Sequence, residues 1–166
     1  RVTNLNAGGS GSLAACIQAS GPRVCIFEVS GTITLTEELE ISNPYITIAG
    51  QTAPSPGILI RGAGLLISAS HVLVQHIHVR VGDDPNGPDP DNRDALKIEA
   101  PMVRTISNVV VDHCSFSWSV DEMASIWEGA RDISLLNNIF SEPLNDSLHP
   151  SDSGGTEPHG YGLIFG

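Results

Sequence analysis

Aromatic residues are scarce in this 166-residue chain, at 5%, and charged residues make up only 16%. Basic side chains are the rarest of the charges: 8 Lys and Arg face 19 Asp and Glu, for a formal net charge of −11. A surface of that sign repels phosphate backbones, so nucleic acid is not expected as a partner. An acidic ligand would need a cation in between; the other reading of the charge is simple solubility. No apolar run approaches the roughly 18–20 residues that span a bilayer, and no membrane association is expected. Cysteines number three, with no CxxC pair to suggest a zinc or redox motif. Nucleophile-elbow, P-loop and HExxH patterns are missing as well.

What the chain has is turn formers and β-branched apolar residues. Gly (17) and Pro (11) are frequent, and Val and Ile dominate the apolar set, which favours short strands joined by many turns. The length suits one domain with a real core. No signal peptide is visible, and Arg1 opens inside what reads as mature protein. Cys16 and Cys25 flank the turn-like SGPR and can pair in an exported protein; the alternative is two buried thiols. Cys114 stands alone.

The chain repeats itself. NVVVDHCSFS (108–117) aligns with DISLLNNIFS (132–141) at an offset of 24, placing Val109 on Ile133, Val111 on Leu135 and Phe116 on Phe140. HVLVQHIHVR (71–80) aligns with 108–117 at an offset of 37, placing Val72 on Val109, Val74 on Val111 and His76 on His113. YITIAG (45–50) aligns with HVLVQH (71–76) at 26. The unit is a short alternating strand, a polar bend and a second short strand. The long interval is explained by an inserted Gly/Pro/Asp-rich loop, GDDPNGPDPDNR (82–93). Such a period without intervening helices predicts an all-β fold, a right-handed parallel β-helix. Leucine-rich repeats lack the required Leu and Asn spacing here, and a sandwich would not give in-register copies. The domain is read as 1–166, with 1–23 as an N-terminal cap and 24–166 as rungs. In the cap, Ser12 starts a helix over LAACIQA (13–19) that Gly21 closes, covering the open end of the solenoid. GYGLIFG (160–166) reads as a further inward strand, and the chain is expected to be the first part of a longer protein.

Chemistry concentrates in the acidic residues. Asp83, Asp84, Asp89, Asp91 and Asp94 lie in or beside the inserted loop, and Asp121 and Glu122 precede MASI (123–126). Setting DALKI (94–98) on the 122–126 stretch at an offset of 28 places Lys97 on Ser125. Asp94 then stands about one strand spacing, roughly 5 Å, from Asp121 and Glu122. Crowded carboxylates suit Ca²⁺, which takes six to eight oxygens in irregular geometry; the alternative is a solvated acidic loop. His76 and His113, stacked at a bend and bonded to backbone, read as structural. His149 and His159 flank HPSDSGGTEPH and are candidates to meet a ligand, as are Lys97 and Ser125. Trp118 and Trp127 suit either sugar stacking or the core. Asn145-Asp146-Ser147 is a formal glycosylation sequon.

The segments GQTAPSPGILIRGAG (50–64), VQHIHVRVGDD (74–84), NRDALKI (92–98), VVVDHCSFSWSVDE (109–122) and LNDSLHP (144–150) resemble pectate lyases of polysaccharide lyase family 1, and GGSGSLAACIQASGPR (8–23) is similar to their N-terminal cap. The resemblance implies a right-handed parallel β-helix and Ca²⁺-dependent β-elimination of polygalacturonate by a secreted protein, with a monomer expected. It makes Asp94 a calcium ligand and Asp121 the first acid of a motif that normally reads Asp-Gly-x-x-Asp. Here the motif reads Asp121-Glu122-Met123-Ala124-Ser125, so Ser125 replaces the second carboxylate and Glu122 the glycine, and one ligand is either missing or supplied by Glu122 or the 83–91 loop. The family's catalytic arginine has no match among Arg80, Arg93, Arg104 and Arg131, so the chain is expected to be a fragment without its base. A polygalacturonase-type glycosidase, or a non-catalytic carbohydrate-binding β-helix, are the competing classes.

Overall fold

The computed structural model describes residues 1–166 apart from Val103 and Glu128. After helix α1 (Leu13–Gln18) come strands β1 (Arg23–Ile26), β2 (Gly31–Thr34), β3 (Leu39–Ile41), β4 (Ile46–Ala49), β5 (Ile58–Arg61), β6 (Leu65–Ile67), β7 (Val72–Gln75) and β8 (Ile77–Arg80). Then follow β9 (Leu96–Ile98), β10 (Ile106–Asp112), β11 (Ser115–Ser117), β12 (Ala124–Ile126), β13 (Ala130–Leu136), β14 (Ile139–Phe140) and β15 (Leu163–Phe165). Every third strand pairs, giving, among the described residues, three parallel sheets of five strands: β1-β4-β7-β10-β13, β2-β5-β8-β11-β14 and β3-β6-β9-β12-β15. The chain is a right-handed parallel β-helix. Its registers are those of the sequence repeat: Ile46 on Val72, Val72 on Val109, Val109 on Ile133, Phe116 on Phe140 and Lys97 on Ser125.

Alternation puts one apolar column inside each sheet. In the second sheet it is Ile33, Ile60, Val79 and Phe116, at most 1% exposed. Phe116 stacks on Phe140 with centroids 5.1 Å apart. Burying one such side chain contributes roughly 1.5–3 kcal/mol.

Strands this short need a sharp bend at each corner, and the bends are left-handed. Tyr45, His71, Asn108 and Asp132 have φ of 54–61° at one corner, and His76, His113 and Asn137 have 52–54° at the next. Gly62, Gly82, Trp118 and Glu142 serve the third. Asn, Asp and His are enriched in this backbone region, which accounts for the polar letters at the bends of the repeat. His76 and His113 do stack, at 5.0 Å. The His113 ring, however, bonds Asp112 at 2.6 Å and not the backbone.

Helix α1 begins as expected, with Ser12 accepting from the Ala15 N–H at 3.1 Å. It ends at Gln18, before Gly21, because the Arg23 guanidinium takes the carbonyls of Cys16 and Ile17. Six residues do not hold a helix unaided. Leu13, Ala14 and Ile17 are buried on the first coil, and Cys16 and Cys25 form a disulfide. Closing that short loop is worth about 2–3 kcal/mol in the chain-entropy account.

Candidate metal centre

The third sheet carries Lys97 and Ser125 on its outer side, with Asp94, Asp121 and Glu122 just before its strands. Leu96 and Ile98 of β9 and Ala124 of β12 point into the core, so the middle positions Lys97 and Ser125 must point out. Both are nevertheless buried, 7% and 0% exposed, because the neighbouring loops cover them. Arg93 fastens the 82–93 loop. Its guanidinium, 2% exposed with its residue, donates to the carbonyls of Asp84 (3.0 Å) and Pro88. Its own carbonyl accepts from the N–H groups of Val120 and Asp121. The loop is thereby tied to the strand entrance that carries the acids.

Asp94, Asp121 and Glu122 are each 8% exposed or less, and one oxygen of each lies within 4.8 Å of the others. The Ser125 hydroxyl donates to Asp94 Oδ2, while Asp94 Oδ1 is buried without a hydrogen-bond partner among the described residues. Lys97 Nζ is 3.3 Å from the Asn92 carbonyl and 4.0 Å from Glu38. Burial, aided by hydrogen bonding with Glu122 and the charge of Asp94, pushes Asp121 up to about 8. Burial also raises Asp94, against the lowering effects of Ser125 and Lys97. This pocket favours a positive charge, whether proton or cation.

The second covering segment brings histidines. Tyr161 and Gly162 carbonyls accept from Met123 N–H, so this segment runs beside the acids. His159 Nε2 lies 3.0 Å from Asp121 Oδ1 and 3.5 Å from Glu122 Oε1. His149 Nε2 lies 3.8 Å from the same Asp121 oxygen and 3.6 Å from Asp91. The two imidazoles stack at 3.5 Å, and Tyr161 packs edge-on to His159 at 4.3 Å. Three of the sequence candidates therefore meet as an oxygen cluster, two histidines join its edge, and Lys97 and Ser125 lie beneath it.

Other sites resolve differently. Trp118 and Trp127 are 46% and 39% exposed, so neither is a core residue. A recess of about 480 Å³ lies on the outer face of the second sheet, lined by residues including Thr34, Arg61, Arg80, Asp84 and Trp118. None of the clustered carboxylates lines it. Sequence reading missed the clamp by Arg93 and the presence of Asp91 and Glu157 beside His149. Glu157 was findable, because it stands two residues before His159 and alternate residues of an extended segment share a side.

No protein-family model matches the chain. Curated proteins do. Over 144 residues, 86% of this chain and 32% of the relative, it is 35% identical to the probable pectate lyase C of Neosartorya fischeri. The same figures hold for the probable pectate lyase C of Aspergillus fumigatus. The chain is a homologue of the pectate lyases. Pectate lyase plyB of Emericella nidulans is 30% identical over 155 residues, 89% of this chain and 40% of that protein. The chain thus spans about a third of the length of the first relatives it matches.

Proposed function

We propose that this chain carries the cation- and uronate-binding part of a pectate lyase-like site, acting on polygalacturonate outside the cell. The observation that carries this is the buried cluster of Asp94, Asp121 and Glu122, with an unpaired oxygen on Asp94, in a homologue of pectate lyases. Calcium fits the donors: all are oxygens, their spacing suits a bridging ion, and the charge is in excess. Asp94, Asp121 and Glu122 would hold it, with Ser125 orienting Asp94. Bound there, Ca²⁺ would neutralise the acids and draw electron density from a uronate carboxylate.

The reaction class is β-elimination. A base removes the proton at C5, alpha to the carboxylate; the electron pair forms the C4–C5 double bond as the C4–oxygen bond breaks. Among the described residues no arginine pairs with the clustered carboxylates. Arg93 is spent on loop carbonyls and Arg80 on Ser115. The base is therefore proposed to lie outside these 166 residues, with this chain binding substrate and not turning it over alone. The Cys16–Cys25 disulfide suits an oxidising, extracellular setting, and a monomer is proposed.

The test follows unsaturated product by ultraviolet absorbance on polygalacturonate, with calcium and with chelator, beside an assay for new reducing ends. The proposal expects calcium-dependent polymer binding without turnover. Robust calcium-dependent unsaturated product from this chain would overturn the absence of the base. Reducing ends without unsaturated product would point to the glycosidase class. The oxygens, within 4.8 Å of one another, stand closer than the roughly 6.5–9.5 Å of an inverting pair and near the roughly 5–5.5 Å of a retaining one, so the product assay decides between the classes.

A further inference from the structure

The outer face of the second sheet carries chemistry that the acid cluster does not use. Two recesses, of about 480 and 420 Å³, abut there and share Thr32, Leu59, Arg80 and Trp118. Together they form one groove along the strands, from Gly57 before β5 to Gly82 after β8. Each volume falls in the range of about 300–1,000 Å³ usual for small-ligand sites. Trp118 is 46% exposed and lines both recesses, and its indole N–H donates to Glu142 Oε2 at 3.2 Å. A ring held by its edge offers a flat apolar face to the C–H groups of a sugar. Arg80 is held too. Its guanidinium donates to the Val79 and Ser115 carbonyls and to the Ser115 hydroxyl, at 2.8, 3.1 and 3.0 Å, with N–H donors left over. Arg61 is its register neighbour, one strand spacing or roughly 5 Å away, and forms no ion pair among the described residues.

Charge decides the class of ligand. Arg61 and Arg80 are matched in the larger recess by Asp83 and Asp84, so the lining has no positive excess to hold a polyanion. In the smaller recess, burial and then the charge of Arg80 lower His78, which leaves that ring neutral near pH 7. Mixed donors and acceptors beside an aromatic face suit hydroxyls, each of which both donates and accepts. We propose that this groove binds a neutral pyranose oligosaccharide, stacked on Trp118 and hydrogen-bonded by Arg61, Arg80 and the loop acids. Asp94, Asp121 and Glu122 line neither recess. Binding here therefore needs no calcium, and the inference does not rest on the lyase reading.

The test is calorimetric titration of the full chain, in chelator, with β-1,4-linked hexamers of glucose, galactose and xylose and, separately, with hexagalacturonate. At least one neutral hexamer is expected to bind. Trp118→Asn should weaken that binding about tenfold or more, and Arg61→Ala about threefold. Trp127→Ala, outside both recesses, should leave it unchanged. Asn suits the left-handed backbone at 118, where φ is 62°, and thermal unfolding checks that each variant folds. Binding of no neutral hexamer, or full affinity in folded Trp118→Asn, overturns the proposal. So does chelator-resistant binding of hexagalacturonate alone, which would make the groove an anion site.

Discussion

The stretch 109–122 holds two acid–histidine arrangements with opposite electrostatics. At the bend after β10, Asp112 is met by His113 (2.6 Å), Gln75 (3.1 Å) and Asn137 (3.1 Å). Those hydrogen bonds, Asn137 first, hold its carboxyl below the usual range. At the entrance to β12, Asp121 lies among other acids and two histidines, and burial pushes it up to about 8. The same residue types thus finish a scaffold corner in one place and form an unfinished charge cluster in the other. What separates them is burial and the supply of donors: the first corner faces outward amides, whereas the second is roofed by two loops. An unbalanced buried cluster costs stability unless a cation or proton neutralises it, which is the ground on which a cation site is proposed there.

The contrast can be broken by mutation, and the largest effect expected is on cation affinity. Asp121→Asn should weaken calcium binding on the order of 100-fold or more, since ligand charge count sets affinity; Asp112→Asn should leave it unchanged. Calorimetric titration of both variants checks this.

The pH dependence of stability should have opposite signs at the two sites, measured by urea midpoints in chelator. Asp121 has a folded value raised above 3.8, so its contribution is full at low pH and is lost as pH rises through about 8. Asp112 is lowered, so its contribution is present above 3.8 and is lost as pH falls through its depressed folded value. Asp121→Asn should flatten the first limb and Asp112→Asn the second.

Removing a donor should also separate the regions. Ser125→Ala leaves Asp94 with neither oxygen partnered and should cost about 1–3 kcal/mol in chelator. Gln75→Ala, at the solvated corner, should cost about 0.5 kcal/mol or less. The smallest signal is a chemical silence within the scaffold corner. Cys114, 2% exposed with its thiol pushed up to about 11, should resist alkylation at pH 8 until the chain is unfolded.

The β-helix was legible because its strands pair with their own repeats: aligning Val109 with Val72 and Ile133 already gave the register of the first sheet. The proximity of Asp94 to Asp121 and Glu122 followed from one further alignment. What alignment could not reach was the covering by loops. Burial of Lys97 and Ser125 depends on segments that leave the repeat, and Arg93 holds one of them through backbone carbonyls, which have no sequence identity to read. The position of His149 over Asp121 likewise depends on how the 143–162 segment folds back, joined by the Pro150–Thr156 bridge and the contact of His159 N–H with Asn145. The αL bends explain the histidines at 76 and 113 better than any ligand does, and only backbone angles reveal that.

The most direct test of the central claim is the affinity of this chain for an oligogalacturonate, measured with calcium and with chelator, in the unaltered chain and in Asp94→Asn and Asp121→Asn. The account predicts binding that requires calcium and is lost in both variants. Binding that survives chelator, or that both variants retain at full strength, would contradict it.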